Sequence, residues 1–249
     1  MKVSIITATY NSAETILSTL QSLESQTYPN IEYIIVDGAS KDNTLDVIKA
    51  NCSRVSTIIS EPDKGIYDAL NKGIQAATGD IIGFLHSDDI FAYPDAVSEL
   101  VALMDKKQTQ AVYADLEYVS KDNLNNVVRL WKSGQYQRSK LKQGWMPPHP
   151  TFYMKRELYQ SCGMFDLNFN ISADYDSLLR YLWINKITMA YLPKVITKMR
   201  VGGTSNNSLS NIIHKTKEDI RALNNNGLFW PSAIFIKNVS KIPQFLKKS

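Results

Sequence analysis

Short apolar runs alternate with helix-like segments through the first 94 residues of this chain, and that alternation restricts its fold more than any other feature. The apolar runs predict strands at residues 3–8, 31–36, 55–60 and 81–85. The segments between them predict helices at residues 12–25, 43–50 and 67–77. Short links between such elements are typical of a mostly parallel sheet with helices on both faces. We therefore predict a Rossmann-like α/β fold.

The pattern changes after Pro94, where strands and helices no longer alternate regularly. We predict helices at 95–106, 156–162 and 174–184, and strands at 111–114, 151–154 and 189–192. Residues 116–120 and 127–131 flank a polar stretch and predict an antiparallel hairpin. Residues 133–146 are polar and irregular, as expected of a mobile loop. The second half is thus predicted to add a small antiparallel subsheet.

Composition narrows the classes of protein to consider. The 249 residues are 44% hydrophobic, enough for a large core, and the net charge of +4 is too small to indicate nucleic-acid binding. The two cysteines have no metal-type spacing, which favours a reducing compartment. No secretion signal or spanning apolar run is evident, so we expect a cytoplasmic protein.

Polar residues follow four successive predicted strands, at residues 7–11, 37–40, 61–65 and 88–89. In open α/β sheets, ligands bind beyond the carboxyl ends of the strands. Any one of these stretches is compatible with an ordinary turn, but four in succession favour a ligand cleft. Neither a glycine-rich dinucleotide fingerprint nor a Walker-type loop is present, so a phosphate-bearing ligand would depend on a metal.

Asp88 and Asp89 stand directly behind the apolar run 81–85. Adjacent carboxylates at the end of a core strand repel each other unless a cation or water accommodates them. Mn²⁺ or Mg²⁺ would do so, because hard cations bind carboxylate and phosphate oxygens. The alternative is a solvated Asp-Asp turn. The motifs elsewhere in the chain favour the metal.

Those motifs occur in a recognisable order. They are Val-Ser-Ile-Ile-Thr-Ala-Thr-Tyr-Asn at 3–11, Ser-Gln-Thr-Tyr at 25–28, Ile-Val-Asp-Gly-Ala-Ser at 35–40, Asn-Lys-Gly at 71–73 and Ser-Asp-Asp at 87–89. The set resembles the family-2 nucleotide-sugar glycosyltransferases of GT-A fold. Ser-Ala-Asp-Tyr-Asp at 172–176 resembles the acceptor-side acid motif of that family. The resemblance covers residues 2–205 and extends, more weakly, to bacterial enzymes of capsule, colanic-acid and O-antigen synthesis.

The resemblance implies a donor site for a nucleotide sugar, with a UDP- or GDP-sugar expected. Its residues would be Thr7, Thr9, Tyr10, Asp37, Asp68, Lys72 and Asp88. Asp88 and Asp89 match the acidic metal motif, with Asp89 expected as the direct ligand of Mn²⁺ or Mg²⁺. Two positions depart from the family pattern: His86 replaces the first acid of the metal motif, and Gly38 replaces the second acid after strand two.

The resemblance also implies an inverting transfer to an acceptor hydroxyl, with Asp174 as the base. By itself, Asp174 is better explained as an acid in the first turn of a helix, where the dipole favours it, and only the resemblance reverses that preference. His149 and Ser205 are expected in the acceptor or diphosphate region, and residues 201–205 as a flexible lid. The acceptor is expected to be a glycan or a lipid-linked glycan.

We predict a glycosyltransferase domain at 1–205, with a nucleotide-sugar half at 1–94 and an acceptor half at 95–205, and a helical extension at 206–249. In that extension Phe235, Val239, Ile242 and Leu246 share one helical face. The face is expected either to rest on the inner surface of the cytoplasmic membrane or to pack within the protein or a homodimer.

Two other functions compete with sugar transfer. A nucleotidyltransferase would usually carry a basic, glycine-rich loop after the first strand, and residues 9–12 are Thr-Tyr-Asn-Ser. A catalytically silent nucleotide-sugar-binding module would need no acids at these positions, and Asp88, Asp89 and Asp174 count against it without excluding it.

Overall fold

The computed structural model describes residues 1–202 and 209–239. The strands are β1 (Val3–Thr9), β2 (Ile31–Asp37), β3 (Val55–Ser60), β4 (Ile81–Phe84), β5 (Ile90–Phe91), β6 (Ala111–Val119), β7 (Val127–Trp131), β8 (Tyr153–Lys155) and β9 (Met189–Arg200). The α-helices are α1 (Ile16–Glu24), α2 (Thr44–Asn51), α3 (Ile66–Ala76), α4 (Ala96–Lys107), α5 (Arg156–Ser161), α6 (Ala173–Leu179), α7 (Leu209–Asn225) and α8 (Trp230–Val239). Short 3₁₀ helices occupy Arg138–Gln143 and His149–Thr151.

The strands of the described ranges form one sheet in the order β3-β2-β1-β4-β8-β6-β9-β5, with β7 paired to β6 outside this path. β3, β2, β1 and β4 are parallel to one another. β8 runs antiparallel to both β4 and β6, while β6 and β9 are parallel. The predicted α/β fold is confirmed. Each antiparallel pair includes a strand of the second half, as expected, but β4 and β5 of the first half take part in two of these pairs.

The second half departs from the prediction in several places. Residues 138–143, expected in an irregular loop, form a 3₁₀ helix. The strand predicted at 189–192 continues as β9 through Pro193 to Arg200. β6 pairs with β9 from Met189 to Arg200, and β5 pairs with Thr197 and Lys198 on the other side of β9. β6 is one strand with register shifts around Asp115, where two strands were predicted. The helix expected at 174–184 ends at Leu179 and continues as a π-turn.

Hydrophobic side chains cover both faces of the sheet. On β1, Ile6 belongs to a core packed against α3, α5 and α6, whereas Ile5 belongs to a second core packed against α1, α2 and α4. Burial on both faces explains why the parallel strands appear in the sequence as continuous apolar runs. The helices therefore leave only the ends of the strands open to a ligand.

Glu32 is a buried acid that ties β2 to its surroundings. Its carboxylate accepts hydrogen bonds from Lys2, Ser4 and Thr78. Burial raises its pKa, but these bonds outweigh burial and lower the pKa to about 2. A lowered pKa in the folded state stabilises the protein above the ordinary value of 4.5, and this contribution disappears as the pH falls towards 2.

We expect Glu32→Gln to lower the free energy of unfolding at neutral pH by about 2 kcal/mol and to flatten its dependence on pH between about 4.5 and 2. Urea unfolding at a series of pH values measures both effects. Glu157→Gln, at an exposed acid, is the control. An unchanged pH dependence in Glu32→Gln would contradict the assignment.

No boundary in the sheet coincides with residue 94, because β4 pairs directly with β8. The division into two halves therefore stays a prediction about function. α7 and α8 form the start of the extension, and Ile242 and Leu246 lie outside the described residues. No helix within 1–202 and 209–239 is long and apolar enough to span a bilayer.

Candidate active site

The polar ends of β1, β2 and β3 lie side by side. Thr9 pairs with Asp37 across β1 and β2, and Asp37 pairs with Ser60 across β2 and β3. β4 flanks β1 on its other side and leads into His86 and the acidic pair. Four polar strand ends thus form one edge of the parallel sheet, where ligands of such folds bind.

Hydrogen bonds join the loops after β1 and β2. The backbone N–H of Asn11 donates to Ser40 Oγ (2.8 Å), and Asn11 Oδ1 accepts from the N–H of Lys41 (2.8 Å). Asn11 and Ala39 adopt left-handed backbone conformations, with φ of 48° and 60°. Such strain in a non-glycine residue is often found at functional sites. Between these bonds Tyr10 stays 56% exposed, so its ring faces the space beyond the strands.

Two predicted donor residues are fully buried. Asp37 accepts hydrogen bonds from the N–H and hydroxyl of Ser40 and from Ser60 Oγ (2.7 Å). Thr7 shares a bond with Tyr33 and donates to the carbonyl of Leu85. These side chains use their hydrogen bonds within the protein and hold the neighbouring strands and loops in place. A direct contact of Thr7 with the donor therefore stays a prediction. Thr9 differs, because its buried hydroxyl has no hydrogen-bond partner among the described residues.

Asp63 fills the space beside Gly38, the position at which the family's second acid is missing. A Cβ on Gly38 would lie 2.5 Å from Asp63 Oδ2 and 3.4 Å from the ring of Tyr10. Asp63 is held there because its other oxygen accepts the N–H of Gly65 (2.8 Å). The sequence shows residues 61–65 only as one of four polar strand ends. That the acid Asp63 takes the space of the missing acid is visible only in three dimensions.

Lys72 and Asp68 lie on α3 beside the loop that follows β3. Lys72 Nζ bonds Glu61 (2.8 Å) and the carbonyl of Pro62 (2.9 Å), and it lies 3.7 Å from Asp68. Asp68 also accepts the N–H of Lys64 (3.0 Å), close to the start of the helix. The hydrogen bond with Glu61 raises the pKa of Lys72, so Lys72 is a fixed cation at this edge.

A cavity of about 210 Å³ is lined by residues of α3, β6, β7, α6, α7 and α8 and of the loops beside them. Its walls carry His86, His149 and Asp174, the aromatic residues Tyr67, Tyr118, Trp131 and Tyr175, and the cations Arg129, Lys215 and Lys237. Asp174 is the one carboxylate among the described lining residues. The predicted base and the predicted acceptor-side histidine therefore share one cavity.

Asp174 is held at the start of α6. Its Oδ1 accepts the N–H of Tyr175 (2.8 Å) and lies 3.3 Å from the hydroxyl of Tyr67, which donates to the carbonyl of Ile171 (2.6 Å). Burial raises the pKa of Asp174, and the positive charges of Lys215 and Lys237 partly oppose that effect. A raised pKa makes the ionised carboxylate a stronger base than one in water.

Two neighbouring histidines line the cavity. The ring of His149 stacks on Phe84, with centroids 5.0 Å apart, and its centroid is 6.1 Å from that of His86. Burial and the neighbouring His86 lower the pKa of His149 to about 3, so it is neutral at physiological pH. His86 Nδ1 is buried without a hydrogen-bond partner in the described structure. Burial lowers the pKa of His86, and the negative charges of Asp88 and Asp174 partly oppose that effect.

Asp88 and Asp89 differ sharply in accessibility. Asp88 is half-buried, whereas Asp89 is fully buried and its two carboxylate oxygens have no hydrogen-bond partner among the described residues. Burial and the charge of Asp88 raise the pKa of Asp89 well above its ordinary value, against the opposing charge of Arg200. Arg200 holds this turn by donating to the carbonyl of Asp88 and to Ser18 Oγ.

The residues fit a divalent cation that arrives with a diphosphate better than a cation held by protein alone. No group of three or more His, Cys, Asp or Glu able to hold a metal occurs within the described ranges. Mg²⁺ is commonly held by one or two carboxylates together with substrate phosphates. Asp88 is only half-buried and offers one such carboxylate, whereas the carboxylate of its neighbour Asp89 is fully buried.

The sequence did not predict three cations that line the cavity, namely Arg129, Lys215 and Lys237. The guanidinium of Arg129 lies 4.8 Å from the ring centroid of Tyr118 and 5.5 Å from that of Trp131. Lys215 and Lys237 each contact Asp219 at 2.9 Å. The spacing on β7 places Arg129 and Trp131 on one face, but no local pattern indicates that α7 and α8 return to the cavity. The prediction for Ser205 lies outside the described residues.

The comparison with known proteins decides the family. The sequence model of glycosyl transferase family 2 matches residues 4–165. The chain belongs to this family. It is 33% identical over 180 residues to an uncharacterized glycosyltransferase of Mycobacterium tuberculosis, covering 72% of this chain and 68% of the relative. It is 28% identical over 208 residues to a PGL/p-HBAD biosynthesis glycosyltransferase of Mycobacterium bovis, covering 82% and 78%.

Solved structures agree on the fold. TarS of S. aureus in complex with UDP-GlcNAc has a TM-score of 0.69 at 17% identity, over 95% of this chain and 70% of that one. The mannosyltransferase PcManGT of Pyrobaculum calidifontis in complex with GDP-Man and Mn²⁺ has a TM-score of 0.63 at 17% identity, over 100% and 76%. The chain therefore has the GT-A fold, as the motifs predict.

Proposed function

We propose that this family-2 glycosyltransferase moves a sugar, with inversion, from a UDP- or GDP-sugar to a hydroxyl of a glycan or lipid-linked glycan in bacterial polysaccharide synthesis. The observation that carries the proposal is the cavity lined by Asp174, His149 and His86, the last of which lies two residues before Asp88 in the chain. Sugar transfer needs a site for the nucleotide and a base for the acceptor hydroxyl. The polar edge of the sheet would supply the first, and the buried carboxylate of Asp174 would supply the second.

The nucleotide would occupy the edge formed by β1, β2 and β3. The exposed ring of Tyr10 offers a stacking face to the base, and the unpartnered hydroxyl of Thr9 lies beside it in the chain. Asp63 would take over the hydrogen-bonding role of the acid that Gly38 replaces, because its carboxylate lies in the same space. Asp37 would contribute indirectly, because its hydrogen bonds with Ser40 hold the loop after β2 in place beside the nucleotide. Lys72 would add a cation near the phosphates.

Asp174 would take the proton of the acceptor hydroxyl as the hydroxyl attacks the anomeric carbon. The N–H of Tyr175 holds the carboxylate in place, so little reorganisation is needed at the moment of transfer. His149 is neutral and would hydrogen-bond the acceptor or the diphosphate without adding charge. The aromatic walls Tyr118 and Trp131 would pack against the acceptor sugar.

Asp88, with Asp89 behind it, would hold Mn²⁺ or Mg²⁺ together with the donor diphosphate. The cation supplies charge neutralisation on the departing diphosphate. We propose Asp88 as the direct ligand because it is the less buried of the two acids. The motif predicts Asp89 instead, and a comparison of Asp88→Asn with Asp89→Asn distinguishes the two assignments.

Thermal shift with UDP, GDP, CMP and dTDP, each with and without Mn²⁺, tests the proposal and names the donor class. One nucleotide with Mn²⁺ should stabilise the protein by about 2.7 kcal/mol when its concentration is about 100 times the Kd. No response to any nucleotide would contradict the proposal and favour a silent module.

We expect Tyr10→Ala to weaken binding of the responding nucleotide by about tenfold, because base–aromatic stacking contributes about 1–3 kcal/mol. Titration calorimetry gives the Kd. Ile58→Ala removes an apolar group on β3 that is 36% exposed and serves as the control. Equal affinities of Tyr10→Ala and Ile58→Ala would exclude stacking on Tyr10.

A further inference from the structure

Large apolar side chains are concentrated on the outer surface of α7 and α8. Of the thirteen large apolar residues that are exposed in the described structure, six fall between residues 212 and 236. Their exposed fractions range from 37% to 73%, and they are Ile212, Ile213, Phe229, Trp230, Phe235 and Ile236. Scattered single apolar residues are normal on protein surfaces, but such a concentration indicates an interaction site.

α8 has two distinct sides. Ala233 is fully buried and Lys237 is 8% exposed, so this side faces the protein. Phe235 is 70% exposed on the opposite side, and Phe229, just before the helix, is 73% exposed. A helix that packs through one side and presents aromatic and aliphatic groups on the other is suited to an apolar partner.

The charges on this surface have one sign. Between residues 209 and 239 the only acids are Glu218 and Asp219. Both are buried: Glu218 accepts backbone N–H groups of residues 170–172, and Asp219 pairs with Lys215 and Lys237. The exposed charged groups of α7 are basic, among them Lys217.

A second basic segment adjoins α8. The 3₁₀ helix Arg138–Gln143 packs against α8, and the two approach so closely that a Cβ on Gly144 would lie 2.5 Å from the carbonyl oxygen of Ala233. This segment carries Arg138, Lys140 and Lys142, and the sequence has no acid between residues 123 and 156. Exposed cations therefore occur on two elements that pack against α8, namely α7 and residues 138–143. We name the exposed faces of α7, α8 and residues 138–143 the α7–α8 surface.

We propose that the α7–α8 surface docks on a membrane surface that contains anionic lipids. Aromatic and aliphatic groups of an amphipathic segment enter the headgroup boundary, and adjacent Lys and Arg are attracted to anionic headgroups. A second copy of the chain fits less well, because a twofold interface would place two sets of positive charges face to face.

The location gives this docking a consequence for the reaction. Lys215 and Lys237, on the inner sides of α7 and α8, line the cavity that holds Asp174. The helices that would touch lipid are thus the same helices that enclose the acceptor side. Docking itself does not depend on the proposed reaction, since binding to vesicles is measured without turnover.

Flotation of the full-length protein with vesicles tests the apolar contribution. We expect the protein to float with phosphatidylcholine vesicles that contain phosphatidylglycerol, and Trp230→Ser/Phe235→Ser to bind at least about tenfold more weakly. Leu17→Ser/Ile58→Ser, at exposed apolar residues of α1 and β3, should float like the unchanged protein. Circular dichroism verifies that each variant is folded.

A second pair of variants tests the charges without touching apolar groups. Lys142→Gln/Lys217→Gln should weaken binding about fivefold for each lysine, whereas Lys106→Gln/Lys107→Gln on α4 should not change it. Equal flotation of all variants, or equal binding to vesicles of phosphatidylcholine alone, would overturn the proposal. It would also be overturned if Trp230→Ser/Phe235→Ser abolished a concentration-dependent dimer while the unchanged protein failed to float.

Discussion

Asp174→Asn is expected to lower the rate of sugar transfer by about 10²–10⁴-fold, the usual contribution of a positioned general base. Donor binding should be unchanged, because the asparagine keeps the oxygen that accepts the N–H of Tyr175. Single-turnover transfer measures the first effect, and nucleotide titration measures the second. Loss of both in parallel would indicate a damaged fold.

Asp122→Asn, at an exposed acid between β6 and β7, is the control for this substitution. It should leave transfer and donor binding unchanged. If Asp174→Asn retained most of its turnover, Asp174 would not be the base.

The pH dependence of the rate gives an independent test of Asp174. Because burial raises its pKa above 3.8, the carboxylate loses its basic form as the pH falls through that raised value, and the rate should fall with it. Lys215 favours the ionised form, so Lys215→Gln should move this acidic limb to higher pH. A limb that does not move in Lys215→Gln would assign the titration to another group.

Asp88→Asn is expected to abolish the stabilisation that Mn²⁺ adds to nucleotide binding and to lower transfer by about 10²-fold or more. The accessible carboxylate of Asp88 is the group that would contact a cation bound to the diphosphate. Thermal shift with the responding nucleotide, with and without Mn²⁺, separates loss of the metal response from loss of nucleotide binding.

Asp89→Asn is the matched comparison for Asp88→Asn, because it removes the carboxylate of the buried neighbour and keeps that of Asp88. We expect this variant to keep the Mn²⁺ response and to change the stability of the turn, since the carboxylate is fully buried. Loss of the Mn²⁺ response in Asp89→Asn but not in Asp88→Asn would assign the metal to Asp89. Asp105→Asn on α4 controls for the loss of a negative charge.

The first half of the fold was predictable from local pattern. The expected strands at 3–8, 31–36, 55–60 and 81–85 lie within one residue of β1 to β4, because strands buried on both faces are continuous apolar runs that end at turn residues. The second half was less predictable. β9 extends past Pro193 because β6 and β5 pair with it, and those partners are far away in the sequence.

The sequence by itself determined the residue types of the site and their order along the chain. It supplied the polar strand ends, the acidic pair Asp88–Asp89 and the motif that contains Asp174. These residues indicated a ligand cleft with a metal, and the resemblance of the ordered motifs to family-2 glycosyltransferases indicated a sugar transferase.

Only the tertiary structure decided which of these groups are accessible. Asp37 and Asp89 proved to be buried, Asp63 occupies the space beside Gly38, and Lys215 and Lys237 return to the cavity from the far end of the chain. The physical reason is that accessibility and pKa depend on neighbours in space. Neighbours separated by tens of residues leave no periodic signal in the sequence.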